Sequence, residues 1–197
     1  MGKQHEQFKY FLSLPAEIRI KIYDLVLLQP YPMQPSWGVQ PWVHPNWTPA
    51  TALALLYVNK QVADEAAQRF YSINTFRVPF LGWSYWDGKQ WCSLSIGAWL
   101  KSIGPNAQHI RKFEFQLFSG DIGPIVDFSR TIAETRPLLP GLQSLRVQFE
   151  LYEQDYYGGE AELQQARQLI KDGFNEVEEV VCEKFLVKSY PLLGCTL

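Results

Sequence analysis

The sequence predicts a mixed fold, α+β or α/β, in which two N-terminal helices pack on a small, mostly parallel sheet with crossover helices. Three observations carry this reading. Pro15 to Leu28 places Ile18, Ile22, Leu25 and Val26 on one face at helical spacing. Beyond residue 75, short runs with period-two alternation are separated by longer helical segments, the rhythm of strand–helix–strand crossovers. The chain has 197 residues, 47% of them hydrophobic, enough to bury a real core.

The first helix has marked boundaries. Ser13 is a capping residue, Pro15 suits a first turn, and Glu17 suits the positive end of the helix dipole. Gln29-Pro30 ends it, and Arg19, Lys21 and Asp24 are expected on the wetter side. Residues 30–49 then form a Trp/Pro-rich loop with Trp37, Trp42 and Trp47 spaced five apart. Prolines at this density exclude a helix. Thr48-Pro49 restarts one, with Leu55, Val62, Ala66 and Phe70 as its buried stripe and a break expected near Asn59.

Thr75 to Val78 reads as a short strand, and Asp87-Gly88 between aromatic flanks as a hairpin turn. Ile96 to Ile103 is a short helix stopped by Gly104-Pro105. Ile110, Phe113, Phe115 and Leu117 fit a strand, Ile122 to Thr135 a helix, and Leu142, Leu145, Val147, Phe149 and Leu151 another strand. Glu160 to Glu183 is expected as one helix, with Leu163, Ala166, Ile170, Phe174, Val177 and Val181 on its stripe and Gly173 as a point of interruption. The strands near 75–78, 111–117 and 144–151 are expected side by side and parallel, with right-handed crossovers. Ile110-x-x-Phe113-x-Phe115 and Leu142-x-x-Leu145-x-Val147 share the strand spacing of a leucine-rich repeat. Two copies are read as neighbouring strands of a compact α/β layer in preference to a solenoid.

Composition narrows the function. A net charge of −2 and scattered basic residues give no electrostatic footprint for nucleic acid. No apolar run is long enough to span a bilayer, and Met1 to Phe8 lacks a signal-peptide core. Cys92, Cys182 and Cys195 form no pair with metal or disulfide spacing, which favours reduced thiols in cytoplasm or nucleus. His5, His44 and His109 are isolated from one another and from cysteine, so no metal site and no cofactor is expected. There is no nucleophile elbow, phosphate loop, dinucleotide fingerprint or metalloprotease motif. Asp155, Glu160 and Glu162 are read as carboxylates placed on a helix dipole, and Gly158-Gly159 as a turn.

Three ordered blocks carry a family resemblance. Phe11-Leu12-x-Leu14-Pro15-x-Glu17-Ile18-Arg19-x-x-Ile22-Tyr23 resembles the opening of fungal proteins with F-box-like N-termini, including the subgroup named for two Glu-x-Arg motifs. Val58-Asn59-Lys60-Gln61-x-x-x-Glu65-Ala66-x-x-x-Phe70-Tyr71-x-x-Asn74-Thr75-Phe76 is similar to the second half of that pattern, and Trp99-Leu100-x-Ser102-Ile103-Gly104-Pro105 to a third block. Lys60-Gln61-Val62-Ala63 stands where a second Glu-x-Arg would fall.

The resemblance implies an F-box-like helical part at 11–74 with the inserted loop at 30–49, and a small α/β layer at 75–197 packed with it as one unit. It implies a non-catalytic substrate receptor for a cullin–RING ubiquitin ligase. Leu14, Pro15, Ile18, Ile22, Leu55, Leu56 and Val58 would bind a Skp-type adaptor, and the α/β layer with its tryptophan loop would hold a target. The alternative is a self-contained interaction or scaffold domain without adaptor binding, and an enzyme ranks last. Trp37, Trp42 and Trp47 read first as the loop's own core and second as a ligand surface.

Overall fold

Four short segments share one apolar spacing, and they set the architecture. In the computed structural model, which describes residues 10–33, 54–81, 91–119, 123–152 and 160–187, they form strands β1 (Thr75–Leu81), β2 (Lys112–Ser119), β3 (Ser144–Tyr152) and β4 (Glu179–Val187). The strands lie in chain order in one sheet, and each neighbouring pair is parallel. Thr75, Lys112, Ser144 and Glu179 stand abreast, 37, 32 and 35 residues apart along the chain. The spacing read at Ile110-x-x-Phe113-x-Phe115 and Leu142-x-x-Leu145-x-Val147 recurs as Ile73-x-x-Phe76-x-Val78 and Val177-x-x-Val180-x-Cys182. All four copies occupy the same register, so the layer is a stack of like units, more regular than two matching strands suggest.

Among the described residues, five helices of twelve or more residues precede or join these strands: α1 (Ala16–Leu27), α2 (Lys60–Ile73), α3 (Trp91–Ser102), α4 (Gly123–Glu134) and α5 (Glu160–Gly173). Sheets covered on both faces read as continuous apolar runs, whereas these strands alternate. Phe76, Val78, Phe113, Phe115, Leu117, Leu145, Val147 and Phe149 are buried on one face. They share a single core with Phe70 of α2, Leu100 of α3, Ile132 of α4 and Ile170 of α5. Each large side chain removed from water here contributes about 1.5–3 kcal/mol. Arg77, Glu114 and Arg146 occupy the opposite face in register.

The helix expected over Glu160 to Glu183 ends ten residues early, at Gly173. Leu163, Ala166 and Ile170 do form its buried stripe. Phe174 and Val177 continue the helical spacing by coincidence, but β-branched Val177, Val180 and Val181 favour the strand that follows. Val177 leads into β4 and Val181 lies on it, so neither belongs to the helical stripe. Gly173 has its own reason: a Cβ there would lie 2.6 Å from Ala133 Cβ, because α4 and α5 touch at this point.

Other differences are smaller. β1 runs on through Pro79 to Leu81. Arg77 N donates to Met33 O at 2.7 Å, so the ring nitrogen of Pro79, two residues on, faces the same outer side and costs the β1–β2 ladder nothing. α3 begins at Trp91, five residues before the expected start, and Gly104 at φ +58° turns the chain after it. The Asp87-Gly88 turn lies outside the described residues. The break near Asn59 is present: Leu55–Tyr57 is a single 3-10 turn, and α2 starts afresh at Lys60.

Candidate docking surface

α1 is an amphipathic helix set against expectation. Its buried residues are Arg19, Tyr23 and Leu27, a stripe at four-residue spacing that faces α2. The wetter side assigned to Arg19 is therefore a correction, and the reason is a partner far along the chain. Arg19 Nε and Nη2 donate to both carboxylate oxygens of Glu65 on α2, at 2.9 and 2.7 Å. Its Nη1 donates to the carbonyl of Leu14 at 2.6 Å, closing the turn that precedes the helix. Tyr23 donates its hydroxyl to Glu65 at 3.1 Å, and Gln61 adds a bond at 3.0 Å.

These contacts set the local electrostatics. The Arg19 guanidinium, helped by Gln61 and Tyr23, holds the Glu65 carboxyl down to about 2 against the opposing effect of burial. Burial, and then the neighbouring Glu65 carboxylate, push the Tyr23 phenol up to about 12. A second ion pair, between Asp24 and Arg69, ties the helices further along. Asn74 closes the arrangement from inside. Its Nδ2 donates to the carbonyls of Leu27 and Phe70, both at 2.9 Å, and its Oδ1 accepts from Gln29 N at 2.8 Å. One side chain thereby satisfies groups at the ends of two helices.

Ser13 does not cap α1, since its hydroxyl donates back to Tyr10 O; Pro15 occupies the cap position. Asn59 does cap α2, accepting from Val62 N at 2.9 Å. The residues behind the family resemblance thus have local tasks: Arg19, Asn59, Glu65, Phe70, Asn74 and Phe76 build the clamp between α1, α2 and β1. They encode a fold.

With its inner stripe partly polar, α1 turns apolar side chains outward. Ile18 is 40% exposed and Leu25 is 86% exposed, with Val26 and Leu28 also exposed. Ile18, Ile22 and Leu25 follow one another at four- and three-residue spacing, and Ile22 is half-buried. Pro15 is exposed and Leu14 half-buried at the head of the helix. On the 3-10 turn, Leu55 packs partly against the core, while Val58 is 36% exposed beside the exposed Tyr57. The structure therefore leaves Ile18 and Val58 accessible and fully buries neither Ile22 nor Leu55. Leu56 lies on the same turn. Trp37, Trp42 and Trp47 lie outside the described residues.

His109 is held below its ordinary value by burial and by Arg111, and its ring nitrogen meets Gln108 Nε2 at 3.4 Å. Burial pushes the Cys182 thiol up, away from the thiolate form that reacts. Glu160 and Glu162 lie in the first turn of α5, and Glu160 also pairs with Arg167 and Lys184. No group of three His, Cys, Asp or Glu among the described residues is placed to hold a metal ion. No described helix is long and apolar enough to cross a membrane. No family model, curated protein or solved structure matches the chain.

Proposed function

We propose that this chain is a non-catalytic interaction module, an F-box-like receptor that docks on the Skp-type adaptor of a cullin–RING ubiquitin ligase in cytoplasm or nucleus. The observation that carries the reading is the orientation of α1. A helix that buries Arg19 and Tyr23 while exposing Ile18 and Leu25 is not arranged to maximise its own burial. Exposed apolar faces of this kind mark interaction sites. Leu14, Pro15, Ile18, Ile22, Leu55, Leu56 and Val58 are the residues assigned to the contact.

The test is a binding measurement between this chain and a purified Skp-type adaptor. Binding of the native chain, lost in the double variant Ile18→Glu/Val58→Glu with its melting temperature unchanged, supports the proposal. An adaptor that ignores the native chain overturns it. A self-contained scaffold domain is the second reading, favoured by the packing of Leu55 against the core, which withdraws part of that residue from any partner.

A further inference from the structure

The face of the sheet opposite the core carries its own chemistry. Arg77 Nε donates to Glu114 Oε2 at 2.8 Å, and Arg146 Nη1 lies 3.7 Å from Glu114 Oε1, so a carboxylate on β2 is covered by guanidinium groups from both neighbours. Glu114 is buried beneath them. Lys112, two residues before it on the same strand, is exposed and makes no ion pair among the described residues. Arg77 and Arg146 thus share one carboxylate, with Lys112 beside it on the same strand, on a chain whose formal net charge is −2. The carboxylates of β4 do not neutralise them by direct pairing. Glu179 accepts from Ser144 Oγ at 2.7 Å, and Glu183 accepts from Gln148 Nε2 at 3.5 Å.

We infer that this open sheet face docks an extended, acidic protein segment, with a carboxylate seated over Lys112 and Arg146. Charge complementarity selects the occupant. Among the described residues Arg146 has one long contact, and its side chain is 46% exposed, so its donor fork can take a bidentate carboxylate. The strand backbones are already paired in the ladders, so the frame that carries Lys112 and Arg146 needs no ordering on binding. Glu179 and Glu183 repel an acid placed over β4, which confines the acidic end of the segment to β2 and β3. The inference stands apart from adaptor docking, because none of these residues lies on α1 or on the turn at Leu55–Tyr57.

The experiment is an NMR titration of the full chain with a ten-residue peptide of alternating glutamate and serine, and with a control carrying lysine for glutamate. Saturable shifts at Lys112, Arg146 and their rung neighbours, with the glutamate peptide alone, are expected. Lys112→Gln/Arg146→Gln should weaken binding about tenfold or more, while Arg146→Lys retains part of it. Lys112→Gln alone, which breaks no described contact, keeps the test open should the double variant misfold. Adaptor capture, if present, should be untouched in all of them. Absence of saturable shifts, shifts located elsewhere, equal binding of the lysine peptide, or undiminished binding by the variants overturns the inference.

Discussion

Arg19 on α1 and Glu65 on α2 form a two-pronged ion pair, with donor–acceptor distances of 2.9 and 2.7 Å, across 46 residues of sequence. The side chain of Arg19 is 9% exposed and that of Glu65 is 29% exposed, so the pair works between water and core. Such a pair contributes more through direction than through raw energy. Only one rotation of α1 about its axis lets Arg19 reach both Glu65 and the Leu14 carbonyl. That rotation is what turns Ile18, Leu25 and Val26 away from the core.

Removing the second partner should cost less than removing the first. Arg19→Met leaves Glu65 without its cation, and Glu65→Gln leaves the guanidinium without its carboxylate. Tyr23→Phe removes only a hydrogen bond to a charged acceptor and should cost about 1–2 kcal/mol. Each of the two charge variants is expected to cost more than Tyr23→Phe, and the double variant less than the sum of the singles. Urea denaturation of the four proteins measures this; strictly additive losses would deny that the groups act as a unit.

The same cluster dictates a pH dependence. Glu65 titrates near 4.5 when unperturbed and is held down to about 2 in the folded chain. Over that window the unfolded chain binds more protons, so stability rises with pH. The contribution is fully present above about pH 4.5 and is lost as the pH falls toward 2. Tyr23 acts with the opposite sign: its raised value gives stability that is present below pH 10 and lost as the pH climbs toward 12. Urea midpoints recorded from pH 2 to 6 should slope upward, and Glu65→Gln should flatten that slope.

Local rules reached much of this fold. Phe113, Phe115, Leu145 and Val147 announce their strands by period-two spacing, and β2 and β3 pair as that spacing suggests. The first copy of the pattern is harder to see because Ile73 closes a helix before Phe76 opens a strand. The fourth is masked by the accidental helical spacing of Phe174, Val177 and Val181. Arg19 was beyond a local reading altogether. Its burial depends on Glu65, and no helical period reports a partner 46 residues away. Asn74 is similar: a polar residue at a helix end reads as a stop, while its three bonds join chain segments that only the fold brings together. The candidate docking residues were legible as an apolar stripe; which side of the helix met water was not.

Two glycines in helices should respond in opposite directions to alanine. At Gly173 the added Cβ meets Ala133 Cβ at 2.6 Å and Cα at 3.0 Å, so α4 and α5 must move apart. Overpacking of this kind costs about 1–3 kcal/mol. At Gly97, inside α3, nothing among the described residues lies within 4 Å of the new atom, and the lower backbone entropy of alanine should stabilise by about 0.5–1 kcal/mol. Thermal melts of the two variants check the pair, and a stabilised Gly173→Ala would contradict the observed helix contact.

The outward face of α1 offers the sharpest contrast between stability and binding. Leu25 is 86% exposed, whereas Tyr23, two residues earlier, is fully buried. A Leu25→Ser substitution removes almost no buried surface, so stability should change by about 0.5 kcal/mol or less. Tyr23→Ala empties a site against Phe11, whose ring centroid lies 5.8 Å away, and should cost about 3–5 kcal/mol. If α1 is turned outward to receive a partner, Ile18→Ser should lose adaptor binding at a modest cost in stability, and Leu25→Ser, outside the assigned contact, should keep its native melting curve. A chain whose α1 is instead packed for its own stability would show large losses at Ile18 and Leu25. Melting curves and adaptor binding, measured on the same three variants, separate these outcomes because the exposed and buried stripes share one short helix.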